Sequence, residues 1–252
     1  MEWEMIKLDR PQKPIELTHE VQASLTNKFK EAGNSVWSKE YIKKSLIEMS
    51  SNKCAFCETL LGEESKYLEV EHFHHKDQYK DEVVDWDNLL PSCRRCNGKK
   101  GTHDTKLEPI INPCTSEPKN HLKLLMNYRF KHKDDIGKLS ITLLNLNDQD
   151  RLVKKRFEIG NALLDKVLEY IELTDDVVSG VQTSTRRKSK IKNGMEAILR
   201  NGLKDKEYSA TYSTVLIQSE EFNELKNMMI LTDLWTLEHK DLESQIKNLI
   251  LC

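Results

Sequence analysis

No run of residues in this 252-residue chain approaches the roughly 20 consecutive apolar positions that a bilayer-crossing helix needs. The opening Met-Glu-Trp-Glu-Met lacks the basic start and apolar core of a secretory signal. Together these absences point to a cytoplasmic protein with no membrane partner. Glycine and proline are scarce, at 9 and 6 residues, and there is no internal repeat or low-complexity tract. A strong charge of either sign is also missing. With a formal net charge of −2 and a pI near 6.5, the whole molecule does not draw in a polyanion, so any nucleic-acid contact must rest on local basic patches. The C-terminal half carries no Walker motif, no glycine-rich phosphate loop and no second catalytic constellation.

What is present is an ordinary globular composition, 38% hydrophobic and 32% charged, in a length that holds one large domain or two modest ones. Residues 1–16, with Pro11 and Pro14 among charges, read as an extended arm. From Thr18 to Met49 apolar residues recur at helical spacing, interrupted at Gly33-Asn34-Ser35, which predicts two helices and a turn. Pro109, Pro113 and Pro118 mark an irregular connection over 107–120. Leu146 to Leu173 carries the best apolar stripe. The cationic run Arg186 to Lys190 reads as the exposed start of the next helix, and a helix pair is expected over Met195 to Leu251. The expected fold is α+β and mostly helical. N-terminal arm and helices (1–50) precede a short module holding the paired cysteines (51–120), and a helical docking domain follows (121–252).

Four of the 6 cysteines form two Cys-x-x-Cys turns, Cys54/Cys57 and Cys93/Cys96. In a reducing compartment such pairs favour metal thiolates over disulfides. Tetrahedral Zn²⁺ takes four thiolates at ~2.3 Å, and four cysteine ligands leave no open coordination position, so the expected zinc is structural. So small a module buries little core and needs such a staple. Cys114 and Cys252 remain as idle or buried thiols.

Inside this frame stand Val70-Glu71-His72-Phe73-His74-His75-Lys76, then Trp86-Asp87-Asn88-Leu89-Leu90, then Cys96-Asn97-Gly98-Lys99-Lys100-Gly101. The pattern resembles the HNH (ββα-metal) endonuclease motif. There an acidic residue and a histidine end one strand, an asparagine follows in the loop, and a histidine or asparagine lies on a short helix. The chemistry suits phosphodiester hydrolysis. An imidazole with a pKa near 6.5 is a fitting general base, and hard oxygen ligands suit Mg²⁺ or Mn²⁺. The resemblance implies that His72 is the base, Glu71 and Asn97 hold the catalytic ion, and Asn88 positions His72. Arg94, Arg95, Lys99 and Lys100 on the expected helix are candidates to grip phosphates. His74 alternates with His72 in the strand pattern and is a candidate substrate contact. His103 is a second candidate for the ligand place of Asn97, and His75 stands where many relatives have proline.

Further short matches follow in the same order along the chain: Met5-Ile6-Lys7-Leu8, Lys53 to Glu58, Ile111-Asn112-Pro113 with His121-Leu122, and Leu144 to Asn147. With these the chain resembles the Septu-type (PtuB-like) HNH nucleases, which also occur beside some retrons. That resemblance implies a bacterial antiphage effector acting on nucleic acid, DNA ahead of RNA. It also implies a PtuA-like ATPase of the ABC/SMC type as partner, in some systems with a retron RNA–DNA hybrid acting through the ATPase. The alternative from another class is a non-catalytic zinc module that docks nucleic acid or protein, but such a module has no need of Glu-His, Asn and Asn at these places.

Overall fold

The structure is a computed structural model that describes residues 7–62 and 67–252. The first six residues of the arm, Met5 and Ile6 among them, lie outside the described residues. The described chain divides into two compact units. One joins Lys7–His121 with His132–Asn147; the other contains Leu122–Lys131 and Asp148–Cys252. Among the described residues no helix is long and apolar enough to cross a membrane.

The first unit opens with the arm, tied down where Leu8 N donates to Pro113 O at 2.8 Å and Arg10 donates to the carbonyls of Trp86 and Leu89. Two helices follow, α1 (His19–Ala32) and α2 (Glu40–Ser50). Thr18 caps α1 by accepting from Val21 N, and Gly33 closes it in the left-handed region at φ 67°. Ser51 and Asn52 are both left-handed and turn the chain out of α2 into the first cysteine pair. Then come β1 (Leu68–His72), a long loop, β2 (Leu89–Cys93) and the short helix α3 (Arg94–Lys100). The strands pair antiparallel, with Leu68 opposite Cys93 and His72 opposite Leu89.

Leu17, Leu25, Phe29, Val36, Ile42 and Leu46 share one buried cluster with Val70, Val83, Trp86 and Leu89. The N-terminal helices are therefore the second half of the metal module's core and not a separate layer. A hairpin with one seven-residue helix cannot bury enough apolar surface by itself.

After a short helical turn, α4 (Pro118–His121), and a small hairpin of β3 (Leu122–Leu124) and β4 (Phe130–His132), helix α5 (Asp135–Leu143) returns to the first unit. The expected break at residue 120 thus misses this returning segment, which earns no local signal because its attachment is tertiary. A Cβ at Gly137 would lie 2.1 Å from His121 O, so only glycine lets α5 approach so closely. Ile111 N donates to Ser140 Oγ at 2.9 Å, securing the proline-marked connection to α5.

The second unit is helical. The predicted stripe becomes α6 (Lys154–Val178), entered through a π-turn at Gln149–Val153, and the cationic run opens α7 (Thr185–Arg200). In place of a helix pair after Met195, which lies inside α7, three further helices occur: α8 (Ser209–Gln218), α9 (Glu220–Leu231) and α10 (Leu237–Lys247). Leu163, Val167, Tyr170, Ile191, Met195, Leu216, Leu225, Trp235 and Ile246 form their common core. Tyr208 enters α8 in the left-handed region and Ser219 caps α9, breaks too short to read from periodicity alone.

Candidate active site

All four paired cysteines are buried, and their Sγ atoms lie within 4.8 Å of one another. Tetrahedral zinc with Zn–S bonds of ~2.3 Å sets its sulfurs about 3.8 Å apart, and Cys57 Sγ and Cys93 Sγ are 3.8 Å apart. The first pair sits on a tight turn, with Cys54 N donating to Thr59 O at 2.9 Å and Glu58 N to Cys54 O at 3.0 Å. Ala55 N donates to Pro91 O at 2.9 Å, binding that turn to β2. The second pair spans the β2–α3 junction, where Cys93 Sγ caps α3 by accepting from Cys96 N. Crowding sets the thiols against one another. Hydrogen bonds from its neighbours hold Cys93 well below the usual thiol range, while Cys57 and Cys96 are pushed well above it, chiefly by hydrogen bonds with Cys54 and the other cysteines. Four buried soft donors at tetrahedral spacing fit Zn²⁺ and leave no place for a catalytic water.

The same hairpin presents the acidic-histidine pair. Strand alternation sends Glu71 and His72 to opposite faces of β1. Glu71 faces α3, where Lys100 Nζ contacts its Oε1 at 2.7 Å; the two side chains are only 2% and 1% exposed. Lys100 Nζ also donates to His72 O at 2.8 Å. Burial drives the Glu71 carboxyl up to about 7, and Lys100 opposes this only in part. One rung away, Asn97 Nδ2 donates to Glu69 Oε2 at 2.7 Å. Carboxylate and amide oxygens are hard donors of the kind that Mg²⁺ or Mn²⁺ takes, and the buried Glu71 carboxylate is paired with Lys100.

His72 points the other way. Its ring stands edge-on to Trp37 with centroids 4.6 Å apart, and Nε2 lies 2.9 Å from Val83 O. A carbonyl only accepts, so the ring carries its proton on Nε2 and donates it, which leaves the lone pair on Nδ1. Burial pulls its pKa down to about 4, assisted by Lys76, Lys100 and His75, against the Val83 hydrogen bond. His72 is therefore a neutral base at neutral pH. In the zinc-loaded protein, its ring-proton NMR shifts should stay constant between about pH 5.5 and 8, whereas a histidine in water titrates near 6.5. A midpoint inside that window would show a solvated ring.

Asn88 organises the loop between the strands. Its backbone O accepts from Phe73 N at 2.9 Å. Its side chain accepts from His74 N at 2.6 Å and donates to the carbonyls of His74 and Glu82, each at 3.1 Å. Asn88 thus ties Phe73 and His74, the two residues after His72, to Glu82, the residue before Val83.

His74, the candidate substrate contact, has Nδ1 at 2.6 Å from Glu82 Oε2, and Lys106 binds the same carboxylate. His103 Nε2 lies 2.8 Å from Glu108 O, so this ring is engaged within its own loop. His75 is buried, with Nδ1 lacking a hydrogen-bond partner.

The expected basic face of α3 divides. Arg94 and Lys99 are exposed, as phosphate contacts need to be. Arg95 is turned inward onto Asn145 O, and Lys100 is the buried partner of Glu71. These two are corrections with different causes: positions 93, 96 and 100 recur at three- and four-residue spacing, so Lys100 shares the inner face of the cysteines, whereas Arg95 is drawn in by the distant Asn145 carbonyl. That spacing was readable. Glu69 was readable too, standing two residues before Glu71 on the same strand face. Trp37 and the Val83 carbonyl leave no local trace, because only the folded loop brings them to His72.

The HNH endonuclease family matches residues 54–103, the stretch that builds this site. The chain is similar to the Septu protein PtuB of Bacillus thuringiensis, with 48% identity over 247 residues, 98% of this chain and 95% of that one. It is also similar to the Septu protein PtuB of Bacillus mycoides (strain KBAB4), with 27% identity over 168 residues, 54% of this chain and 55% of that one. No solved structure matches the chain.

Proposed function

The chain belongs to the Septu PtuB family of HNH endonucleases, and from that premise we propose that it hydrolyses nucleic-acid phosphodiester bonds as the metal-dependent nuclease of a Septu-type bacterial defence system. The observation that carries the reading is the buried imidazole of His72, neutral and oriented by Val83 O, beside a carboxylate directed to the opposite face of β1. In this reading Nδ1 of His72 takes a proton from the attacking water. The Val83 carbonyl holds the ring and stabilises the imidazolium that forms, and Asn88 keeps the loop that carries Val83 in place. Glu71 and Asn97 are the residues that would hold the catalytic ion. When bound, Mg²⁺ or Mn²⁺ supplies positive charge to the phosphate and the departing 3′ oxygen. Attack and departure occupy opposite sides of phosphorus, which suits a base and a ligand that leave β1 on opposite faces. Arg94 and Lys99 are assigned to the backbone of the substrate, DNA ahead of RNA.

Structural zinc is assigned to Cys54, Cys57, Cys93 and Cys96. The helical unit, without nucleotide-binding chemistry of its own, is assigned to docking on a PtuA-like ATPase of the ABC/SMC type. A retron RNA–DNA hybrid, where a system has one, would act through that ATPase.

Plasmid nicking by the chain, alone and co-purified with its ATPase, tests the assignment. Activity should require Mg²⁺ or Mn²⁺, and Glu71→Ala and Asn97→Ala should each lower it by about 10² or more with zinc content unchanged, the scale of several kcal/mol of lost charge stabilisation. Variants that cleave like the wild type would place the chemistry elsewhere.

A further inference from the structure

Glu69 has no place in the zinc cluster or in the ligand set assigned above. Two residues before Glu71, it leaves β1 on the same face, toward α3. Asn97 and Lys100 are three apart on that helix, so the strand and the helix meet in two parallel rungs. Asn97 Nδ2 reaches Glu69 Oε2 at 2.7 Å, and Lys100 Nζ reaches Glu71 Oε1 at 2.7 Å. The rungs differ in kind. Lys100 compensates a buried charge, whereas Asn97 brings no charge and can be seated in either of two ways.

A primary amide is asymmetric toward a hard cation: its oxygen is a ligand and its NH₂ is repelled. The terminal torsion of asparagine is broad and roughly two-fold, so an unrestrained Asn97 would turn the wrong end to an ion for part of the time. A carboxylate only accepts hydrogen bonds. By taking the NH₂ end, Glu69 leaves Oδ1 as the end directed elsewhere. We propose that Glu69 is a positioning residue that orients the Asn97 amide, so that its oxygen is held ready for the divalent ion at Glu71. This rests on the metal role assigned to Glu71 and Asn97. Glu69 itself stays outside the ligand set, and its action depends on reach and on acceptor character, while its charge is dispensable.

Charge and reach can be separated by substitution. Glu69→Gln keeps the length and an acceptor oxygen but removes the charge, whereas Glu69→Asp keeps the charge and withdraws the carboxylate by one methylene. Mn²⁺ binding is read by loss of the free-ion EPR signal, using the full zinc-loaded chain in a His72→Ala background so that turnover plays no part. The parent should bind Mn²⁺, and Glu71→Ala should abolish that binding. Glu69→Gln should stay within about threefold of the parent. Glu69→Asp and Glu69→Ala should weaken binding by ~10–100-fold, the usual scale for losing an outer partner of a metal ligand.

The Asn97 side-chain NH₂ resonances give a second readout without metal, and should move in Glu69→Asp and Glu69→Ala but little in Glu69→Gln. Equal binding by all three variants overturns the proposal. So does the reverse order, with Asp tolerated and Gln impaired, which would make Glu69 a charge or a ligand. A parent whose Mn²⁺ binding is indifferent to Glu71→Ala would instead overturn the metal assignment itself, and this proposal with it.

Discussion

Cys96→Ser protein is expected to purify without zinc and with residues 51–103 open to protease. The reason is one of scale. Structural zinc contributes apparent free energies of about 10–16 kcal/mol in small zinc modules, while an entire domain is typically stable by only about 5–15 kcal/mol. A serine hydroxyl is a poor substitute, because it does not ionise at neutral pH and is a harder donor than thiolate. Cys96 is wholly buried and lies next to Asn97 on α3. Losing its bond to the metal therefore frees the helix that supplies both rungs facing β1. Nicking should fall to background together with protease resistance. Metal analysis and limited proteolysis of Cys96→Ser beside Cys252→Ser, whose thiol is exposed, make the comparison. A zinc-free Cys96→Ser protein that stays folded and cuts would remove the structural role of the site.

His72→Ala separates chemistry from architecture. Loss of a positioned general base typically slows a reaction by ~10²–10⁴, and that is the expected loss in nicking rate at saturating substrate and metal. Zinc should remain, because the four thiolates belong to other residues. Mn²⁺ affinity should change little, since His72 leaves β1 away from Glu71. The ring also packs against Trp37, so some thermal stability will be lost. Zinc content and protease resistance, measured on the same preparation, keep that loss from being mistaken for lost chemistry. A variant within about threefold of wild type would mean that another group activates the water.

Much of this site was legible because its parts are local. Two cysteine turns, an acidic-histidine pair and an Asn-Leu-Leu entry into the second strand lie within some 50 residues, each carrying a spacing with one physical meaning. The two N-terminal helices were equally plain from their apolar spacing and the break at Gly33-Asn34-Ser35, where Gly33 closes α1 in the left-handed region. What escaped was tertiary. Arg95 reads as a surface cation until Asn145 O, fifty residues away, accepts from it. Lys100 reads the same way, although its spacing from Cys93 and Cys96 already placed it inward. The role of α1 and α2 in the core of the module also lay beyond periodicity, which reports that a face is buried but not what buries it.

The discontinuity of the first unit has a consequence for how the protein is made. Residues 132–147 complete that unit, and both Ser140 and Asn145 bond to residues that precede the excursion. A ribosome that has released only the cysteine-bearing stretch has therefore not yet released a finished nuclease. Final closure waits for the chain to leave the first unit, form the β3–β4 hairpin and come back. An expression fragment that stops near residue 120 would inherit the same incompleteness permanently.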